Sequence, residues 1–302
     1  SFNRGSAIDC AIDTDIRIEN NTGEGNTDHF IVFAGEWMLG KTITLGENPG
    51  LPYKIHGIPD IGNGSTTSDP SLVSILPGAV VCFDYTSSLI ISTGTLEARG
   101  TDVKNISFTS ARDNKQSGDW GNIRATANSS VIILDHAIVE YGGYGVPALL
   151  SSTTNPSITI SSSVIRYSIS GGIQSSGSPV LDVDNSHILN NSGTGLSPGL
   201  GSAGLRYSVV SGNDIGVAIT NTMDSLTMKN NTFTGNRIGM QNNTTTVIDA
   251  TENYWGHPTG PLDESDDTGS GGYYNPLGNG DEVSDSITYE PKPARSPSIP
   301  VH

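Results

Sequence analysis

The stretch from Ile138 to Gly256 repeats one short pattern, in which a pair of β-forming residues is followed by a polar corner and then by a glycine. The copies read AIVEY at 137–141, VIRY at 164–167, HILNN at 187–191, SVVSGN at 208–213, NTFTGN at 231–236 and NYWG at 253–256. The glycines that belong to the first five copies stand 27, 23, 21 and 23 residues apart, at Gly145, Gly172, Gly195, Gly216 and Gly239. Self-similarity at this period indicates a solenoid.

The repeats predict an all-β fold. No segment shows a sustained helical period with caps, so we predict few or no helices. Parallel strands ordinarily need long crossovers, whereas repeats of 21 to 27 residues have room for three short strands each. A right-handed parallel β-helix satisfies both observations, and its hand is the one expected for parallel connections. Corner Asn and Gly would supply positive φ. The residues expected to point inward and stack as a ladder are Ile138, Ile165, Ile188 and Val209.

The composition of the chain excludes some classes of binding partner. The chain has 302 residues, of which 34% are hydrophobic and 15% charged, and its formal net charge is −16. An acidic surface repels nucleic acid and anionic lipid, so we expect neither as a partner. No run of about 18 apolar residues is present, and we therefore expect no membrane span. The chain also opens without a recognisable signal peptide, as a mature product or an excised fragment would.

Several motifs resemble one family. They read LPGAVVCF at 76–83, GTLEARGT at 94–101, ISFTS at 106–110, WGNI at 120–123, LDHA at 134–137, NYWGHPTGP at 253–261 and GNGDEVSD at 278–285. Together they resemble the pectate-lyase-like right-handed β-helix domains of secreted and cell-surface microbial proteins. The resemblance covers about residues 72–291. It implies the fold and an extracellular or cell-surface location, but it implies little about activity, because that family includes lyases, adhesins and purely structural modules.

Three segments follow from this pattern. Residues 1–70 do not match the repeat and are interpreted as an N-terminal cap or as an assembly arm that pairs with a neighbouring subunit. Residues 71–262 are predicted to form the β-helix. Residues 263–302 form an acidic, glycine-rich loop followed by a strand and tail that close the helix. Cys10 and Cys82 either form a disulfide, which would close a long loop, or stay unpaired.

Two sets of side chains are candidates for carbohydrate binding. Tyr141, Tyr144, Tyr167 and Tyr207 lie near corners of successive repeats, where they either form a sugar-binding stack or pack beneath loops. Arg206 and Lys229 could meet an anionic sugar on an outer face, or they are simply solvated. Aligning the repeats places five residues in that outer column: Asp135, Ser162, Asn185, Arg206 and Lys229.

The sequence gives weaker evidence for a catalytic site or a metal site than for carbohydrate binding. Asp182 and Asp184 share one face of a strand and are interpreted as a surface pair. Asp135 and His136 are neighbours on a strand, so they are expected to point to opposite faces and not to form a dyad. We assign no catalytic residue. The acidic loop offers one candidate Ca²⁺ site or, alternatively, a solvated cluster: Asp263, Asp266 and Asp267.

The sequence therefore favours a structural or adhesive module, with the protein itself, in an end-to-end filament, or an extracellular polysaccharide as its partner. The alternative is a polysaccharide lyase or glycoside hydrolase. No cofactor is indicated beyond the candidate Ca²⁺. We expect an extracellular or cell-surface location.

Overall fold

The computed structural model describes residues 6–10, 15–23, 28–34, 41–62 and 70–297, and it shows a parallel β-solenoid. Each coil passes through three sheets, and each strand pairs in parallel with the equivalent strand of the next coil. The described residues include one short helix, the 3₁₀ turn Thr268–Ser270. The prediction of an all-β solenoid almost without helices is confirmed.

Sheet 1 has ten strands. In spatial order they are β1 (Ser6–Cys10), β3 (Asp28–Ala34), β5 (Tyr53–His56), β8 (Val80–Phe83), β11 (Ile106–Ser110), β14 (Ala137–Glu140), β17 (Val164–Arg166), β20 (His187–Leu189), β23 (Val209–Ser211) and β26 (Thr232–Thr234). Sheet 2 has nine: β2 (Ile16–Ile18), β4 (Thr42–Leu45), β7 (Ser71–Ile75), β10 (Gly94–Arg99), β13 (Val131–Asp135), β16 (Ser157–Ser161), β19 (Val180–Asp184), β22 (Ser202–Arg206) and β25 (Ser225–Lys229).

Sheet 3 has ten strands, and its last two come from the C-terminal segment. In spatial order they are β6 (Asp60–Ile61), β9 (Leu89–Ile91), β12 (Ile123–Ala125), β15 (Ala148–Ser152), β18 (Gly171–Ser175), β21 (Thr194–Ser197), β24 (Ile215–Ile219), β27 (Ile238–Asn242), β30 (Gly280–Val283) and β29 (Pro261–Leu262). A separate pair is formed by β28 (Ile248–Asp249) and β31 (Ile287–Thr288). Strands β30 and β31 thus join the C-terminal residues to the last coils of the solenoid.

In two coils of sheet 1, the residue that points inward is one position later than the residue expected from the sequence. Ile165 and Ile188 are fully buried, as predicted, whereas Ile138 and Val209 are half-buried on the outer face. Their neighbours Val139 and Val210 take the inward positions. Strand alternation means that a one-residue error in where a strand starts exchanges the two faces. Each buried aliphatic side chain in such a ladder contributes about 1.5 to 3 kcal/mol.

In the six coils that begin at β13, two corners contain a residue in the left-handed region. Between sheets 2 and 1 this residue has a side chain in six successive coils: His136, Ser162, Asn185, Tyr207, Asn230 and Glu252. Between sheets 1 and 3 the series is Tyr141, Tyr167, Asn190, Gly212, Gly235 and Gly256. The prediction that Asn and Gly supply positive φ is therefore correct for half of these corners only, and tyrosine takes three of the others.

Four of the glycines that mark the repeat have a different role. A Cβ on Gly172, Gly195 or Gly216 would lie 2.7, 2.7 or 2.4 Å from the carbonyl oxygen of the next glycine in the column, which ends at Gly239. These distances are far below van der Waals contact. The coils approach one another so closely at this column that only glycine fits.

Buried polar ladders run inside both corners. Asn191, Asn213 and Asn236 stack with side-chain amide bonds of 3.0 Å between successive members, and the last donates to Asp281 at 2.6 Å. Each Oδ1 also accepts the backbone N–H of the preceding ladder residue, for example from Asn213 to Asn236 at 3.0 Å. The corner between sheets 2 and 1 is served in the same way by Ser163, Ser186, Ser208, Asn231 and Asn253. These side chains satisfy backbone groups that the turns leave without partners.

The N-terminal segment is part of the solenoid. Strands β1 to β6, in the described parts of residues 1–70, belong to the same three sheets as the later strands. The described parts of residues 1–70 are therefore coils of the solenoid and not a separate cap. Because β1 and β2 pair with β3 and β4 of their own chain, the strand exchange of the assembly-arm alternative stays a prediction.

Cys82 is buried and has a free thiol, so the disulfide alternative is wrong. The pairing register explains why. Cys10 lies opposite Phe33, Phe33 opposite Ile55, and Ile55 opposite Phe83, which places Cys10 three coils away from the strand of Cys82. Three coil spacings are about 14 Å, about twice the Cα separation that a disulfide spans. Burial raises the pKa of the Cys82 thiol to about 11, so it is unreactive at neutral pH.

Candidate functional site

The most distinctive surface lies where sheet 1 turns into sheet 3, and two tyrosine pairs form it. Tyr85 and Tyr144 contact each other with ring centroids 5.1 Å apart and planes tilted by 52°. Both are exposed, at 50% and 45%. The Arg112 guanidinium lies over the Tyr85 ring, 4.9 Å from its centroid. We call the surface formed by Tyr85, Tyr144, Tyr141 and Tyr167 the tyrosine ledge.

The second pair of the tyrosine ledge lies on neighbouring coils. Tyr141 and Tyr167 stack with centroids 5.4 Å apart and planes inclined by 22°. Both have positive φ, 67° and 56°, because they occupy equivalent left-handed corners. The Arg166 guanidinium lies 5.0 Å from the Tyr167 centroid, and its Nη2 is 2.7 Å from the carboxylate of Glu140. The corner geometry that repeats along the solenoid therefore brings these rings face to face.

A loop at residues 111–119 positions Arg112. Asp119 is 3% exposed and accepts three hydrogen bonds, from the Ser110 hydroxyl at 2.7 Å, the Gln116 amide at 2.8 Å and Arg112 Nη1 at 2.9 Å. The loop is thus folded around one buried carboxylate. Trp120, which ends the loop, donates its indole N–H to the Glu140 carbonyl at 2.9 Å.

A groove of about 860 Å³ lies beside Arg112, the arginine that contacts the Tyr85 ring. One side is the loop, with Arg112, Asp113, Asn114 and Gln116, and the other side carries His29, Phe30, Gly50 and Pro52 from the first coils. Lys54 Nζ lies 4.7 Å from the centroid of the Phe30 ring. The lining is polar and aromatic, as in sites that bind sugars by hydrogen bonding and ring stacking.

The tyrosine ledge is close to electrically neutral. Arg112 is paired with Asp119, and Arg166 is paired with Glu140. The hydrogen bond with Tyr144 raises the pKa of Tyr85, and burial, followed by the Glu140 carboxylate, raises the pKa of Tyr141. Both hydroxyls therefore stay protonated at physiological pH and can donate hydrogen bonds.

The other predicted carbohydrate residues lie elsewhere. Tyr207 is 49% exposed at the corner between sheets 2 and 1, so it does not join Tyr141, Tyr144 and Tyr167. Arg206 donates to Asp182, and its Nε lies 3.9 Å from Asp184. Lys229 Nζ lies 3.1 Å from Asp249 and 3.4 Å from Glu252. Tyr141, Tyr144 and Tyr167 thus lie at one corner and Tyr207 at another, and sugar binding by any of them stays a prediction.

The outer column of sheet 2 also differs from the predicted one. It contains Arg99, Asp135, Ser161, Asp184, Arg206 and Lys229. Ser162 and Asn185 are instead the left-handed corner residues that follow it. Asp184 therefore lies directly beside Arg206. Asp182 and Asp184 share one face, as predicted, and both are held near the same guanidinium.

The left-handed corner brings Asp135 and His136 together, contrary to prediction. His136 has φ of 49°, which turns its ring toward Asp135, and Nδ1 lies 2.9 Å from that carboxylate. Nε2 lies 2.6 Å from Asp102, whose side chain is 86% exposed. The rule that neighbouring strand residues face apart fails here because His136 is already outside the strand. The arrangement is a cluster of one histidine and two carboxylates at the corner that follows sheet 2.

The predicted Ca²⁺ site is not formed. Asp263 is 2% exposed and accepts the Tyr289 hydroxyl at 3.1 Å, Asp266 accepts the Thr268 hydroxyl at 2.7 Å, and Asp267 accepts the Ser286 amide. Among the residues that the structure describes, no three His, Cys, Asp or Glu side chains are placed to hold a metal ion. Asp266 therefore caps its own turn, whereas Asp263 and Asp267 hold the C-terminal residues Tyr289 and Ser286.

The raised pKa of Asp263 makes the free energy of unfolding depend on pH. Burial raises its pKa from an ordinary 3.8 to about 6, so the folded chain binds this proton more tightly than the unfolded chain does. Stability therefore falls as the pH rises from about 4 to 6 and stays lower above that window. We expect Asp263→Asn to raise the free energy of unfolding at pH 8 by roughly 2 kcal/mol and to change it little at pH 4.

Urea unfolding of both proteins between pH 4 and pH 8 measures this difference. The matched control is Asp266→Asn in the same exposed loop, which should follow the wild-type profile. Parallel profiles for Asp263→Asn and the wild type would show that Asp263 is not the titrating group.

Comparison of the chain with protein-family models, with curated proteins and with solved structures gave no match. Within the described residues, no helix is long and apolar enough to cross a membrane, in agreement with the sequence. The fold and the geometry of the tyrosine ledge therefore carry the functional argument.

Two residues of this surface were not singled out in the sequence. Tyr85 precedes Tyr144 by 59 residues, and Arg112 lies in a loop without periodicity. One signal was present: Tyr85 follows a strand of sheet 1 at the same corner as Tyr141, two residues after the buried Phe83. Alignment of the first coils would have been needed to use it.

Proposed function

We propose that this protein is an extracellular or cell-surface structural or adhesive module that binds a polysaccharide or glycan through the tyrosine ledge. One observation carries the proposal: two tyrosine pairs, each joined by an arginine, lie side by side on the solenoid surface. The location and the pectate-lyase-like character are part of the proposal and rest on the sequence motifs.

Sugar rings have apolar C–H faces and hydroxyl edges. An exposed tyrosine offers an aromatic face for the former and a hydroxyl for the latter, at a small cost in side-chain entropy. Tyr85 and Tyr144 are about half exposed, and the groove beside Arg112 extends the contact surface. Because the coils are about 4.8 Å apart, the ledge is a rigid row able to contact several sugars of one chain.

Charge favours a neutral ligand here. The two arginines of the ledge are each neutralised by a carboxylate, and the whole chain carries a net charge of −16. A polyanion would meet repulsion at long range and no unpaired cation at these two arginines. A neutral polysaccharide or an uncharged glycan avoids both costs.

Binding is favoured over cleavage. In the lyase or hydrolase alternative, acid–base groups must be available to the substrate. The strongest candidates, Asp182 and Asp184, are engaged with Arg206 on a different sheet from the tyrosine ledge. Incubation with neutral and uronate polysaccharides, followed by measurement of reducing ends and unsaturated products, tests the alternative. Catalytic release of product would favour the enzyme.

Removing the first pair of rings should abolish most of the affinity. For the double variant Tyr85→Ala, Tyr144→Ala we expect a roughly 5- to 150-fold loss of affinity for a bound neutral polysaccharide, since two ring contacts of about 0.5 to 1.5 kcal/mol each sum to about 1 to 3 kcal/mol. Affinity electrophoresis against a panel of neutral and acidic polysaccharides identifies the ligand, and calorimetry on the best one measures the loss.

The matched control is Tyr207→Ala. This tyrosine is equally exposed, at 49%, but lies at the other corner of the coil. Its removal should leave the affinity unchanged. Equal losses in the two variants, or failure of the wild type to bind any member of the panel, would contradict the proposed function.

A further inference from the structure

A small cavity on the outer face of sheet 3 contains an arginine that forms no ion pair with any residue the structure describes. Arg124, on β12, lies between Ile90 and Ser151 in one outward column, and Gln174 follows Ser151. The cavity measures about 110 Å³ and is lined by Arg124, Ser151, Gln174, Thr153, Ser176 and Pro147, among others. It has room for a group of roughly three or four water volumes.

The charge of Arg124 distinguishes it from other arginines. In the described part of the chain, six arginines pair with a carboxylate: Arg17, Arg99, Arg112, Arg166, Arg206 and Arg237. Arg124 takes part in none of the recorded ion pairs, although acidic residues outnumber basic ones 31 to 15. Its Nε is buried and has no hydrogen-bond partner. A buried cationic donor without an acceptor is unfavourable, so an acceptor from outside the chain would be stabilised here.

The rest of the cavity supplies more donors. The Ser151 hydroxyl accepts the Asn122 amide at 2.8 Å, so its own hydrogen is available to a ligand. Gln174 and Thr153 add an amide and a hydroxyl to the lining. None of the six named lining residues is a carboxylate. A guanidinium fork surrounded by neutral donors matches the oxygens of a compact anion in geometry and in charge.

We propose that Arg124, Ser151 and Gln174 form a binding site for a compact oxyanion, namely a carboxylate or a sulfate group. The group can arrive as a free small anion or as a substituent on a larger chain, since both present the same oxygens. The site is independent of the tyrosine ledge, which binds rings at a different part of the coil.

The Arg124 Nε–H signal provides a direct test by NMR spectroscopy. Sodium acetate and sodium sulfate are titrated separately into the wild-type protein at constant ionic strength set with sodium chloride. We expect a saturable shift of the Arg124 signal that reaches its limit below about 100 mM of at least one anion. The Arg237 signal should not saturate, because Arg237 is held by Asp214 at 2.6 Å. Equal, non-saturating shifts of all arginine signals would overturn the proposal.

Two variants complete the test. Arg124→Lys keeps the charge but removes the fork and Nε–H, so it assigns the signal and should lose at least tenfold in anion affinity. Arg237→Lys is the control and should bind as the wild type does. Should Arg124→Lys fail to fold, the thermal midpoint of the wild type gives a second readout: a saturable rise in acetate or sulfate over chloride supports the site, and equal midpoints in all three salts overturn it.

An acidic oligosaccharide shows whether the oxyanion that binds Arg124 is a free anion or a substituent on a larger chain. Tighter binding of a hexuronate oligomer than of acetate, by tenfold or more, assigns the site to a substituent on a chain. Equal or weaker binding of the oligomer assigns it to a free anion. Loss of neutral polysaccharide binding in Tyr85→Ala, Tyr144→Ala leaves these titrations unchanged, so the two proposals fail separately.

Discussion

Asn213→Ala is expected to lower the free energy of unfolding by roughly 3 to 5 kcal/mol. Asn213 is 3% exposed and stands in the middle of the buried amide ladder. Its Oδ1 accepts from the backbone and side chain of Asn191, and its Nδ2 donates to Asn236 and to the Ile188 carbonyl. Alanine would leave backbone groups of two coils buried without partners, and each such group costs about 1 to 3 kcal/mol.

Urea unfolding followed by circular dichroism measures this loss. Asn221→Ala is the control, because Asn221 is exposed and its side chain donates to the adjacent Thr220. Its effect should stay within about 0.5 kcal/mol of zero. An Asn213→Ala protein as stable as this control would mean that the ladder contributes nothing beyond the strand pairing.

Trp120→Ala is expected to cost about 3 to 5 kcal/mol and to weaken polysaccharide binding as well. The Trp120 ring is fully buried and lies parallel to Phe83, with centroids 4.0 Å apart and planes 9° apart. Its indole N–H donates to Glu140, and its carbonyl accepts the amide of Tyr144. The cavity left by alanine would release the elements that hold the tyrosine ledge in place.

Trp120→Phe separates these contributions. Phenylalanine keeps a ring on Phe83 but leaves the Glu140 carbonyl without its donor, so we expect a cost of about 1 to 2 kcal/mol. Thermal unfolding and calorimetric binding are measured on both variants. Full affinity in a folded Trp120→Ala protein would show that the tyrosine ledge does not depend on Trp120.

The solenoid could be predicted because its cause is local and repeated. The glycines Gly172, Gly195 and Gly216 are required by the close approach of each coil to the next, so their spacing gives the coil length directly. The strands are short runs of β-formers that end at polar corners, and no helical signal competes with them. The first coils cannot be predicted in this way, because residues 1–70 lack the glycine-marked pattern of the later repeats.

Register was harder to predict than architecture. Placing Ser162 and Asn185 in the outer column of Asp135, Arg206 and Lys229 required knowing where each strand ends. The actual end is one residue earlier, at Ser161 and Asp184, because the next residue has positive φ. Serine rarely adopts this conformation, so the identity of Ser162 gives no sign of it, whereas Asn185 is of a residue type that favours positive φ. The same effect produced the unexpected contact between Asp135 and His136.

One of the two tyrosine pairs of the tyrosine ledge can be predicted from the sequence repeat. Tyr141 and Tyr167 occupy equivalent corners of adjacent coils and could be aligned from the repeat alone. Tyr207 was grouped with them because its position in the period is similar, yet it occupies the other corner. The contacts of Tyr85 and Arg112 depend on a loop folded around Asp119, and such tertiary contacts leave no periodic trace in the sequence.

The orientation of the strands also determines how the solenoid unfolds under mechanical force. The first strands, β1 and β2, and the last, β25, β26 and β29, stand at opposite ends of the stacked sheets. Tension between these ends acts along the hydrogen bonds between coils and opens them one row at a time. Successive coils are offset by 23, 22 and 23 residues, so each row that opens releases about 80 Å of chain. A solenoid stretched in this direction is expected to lengthen in steps, because the coils that have not opened keep their hydrogen bonds.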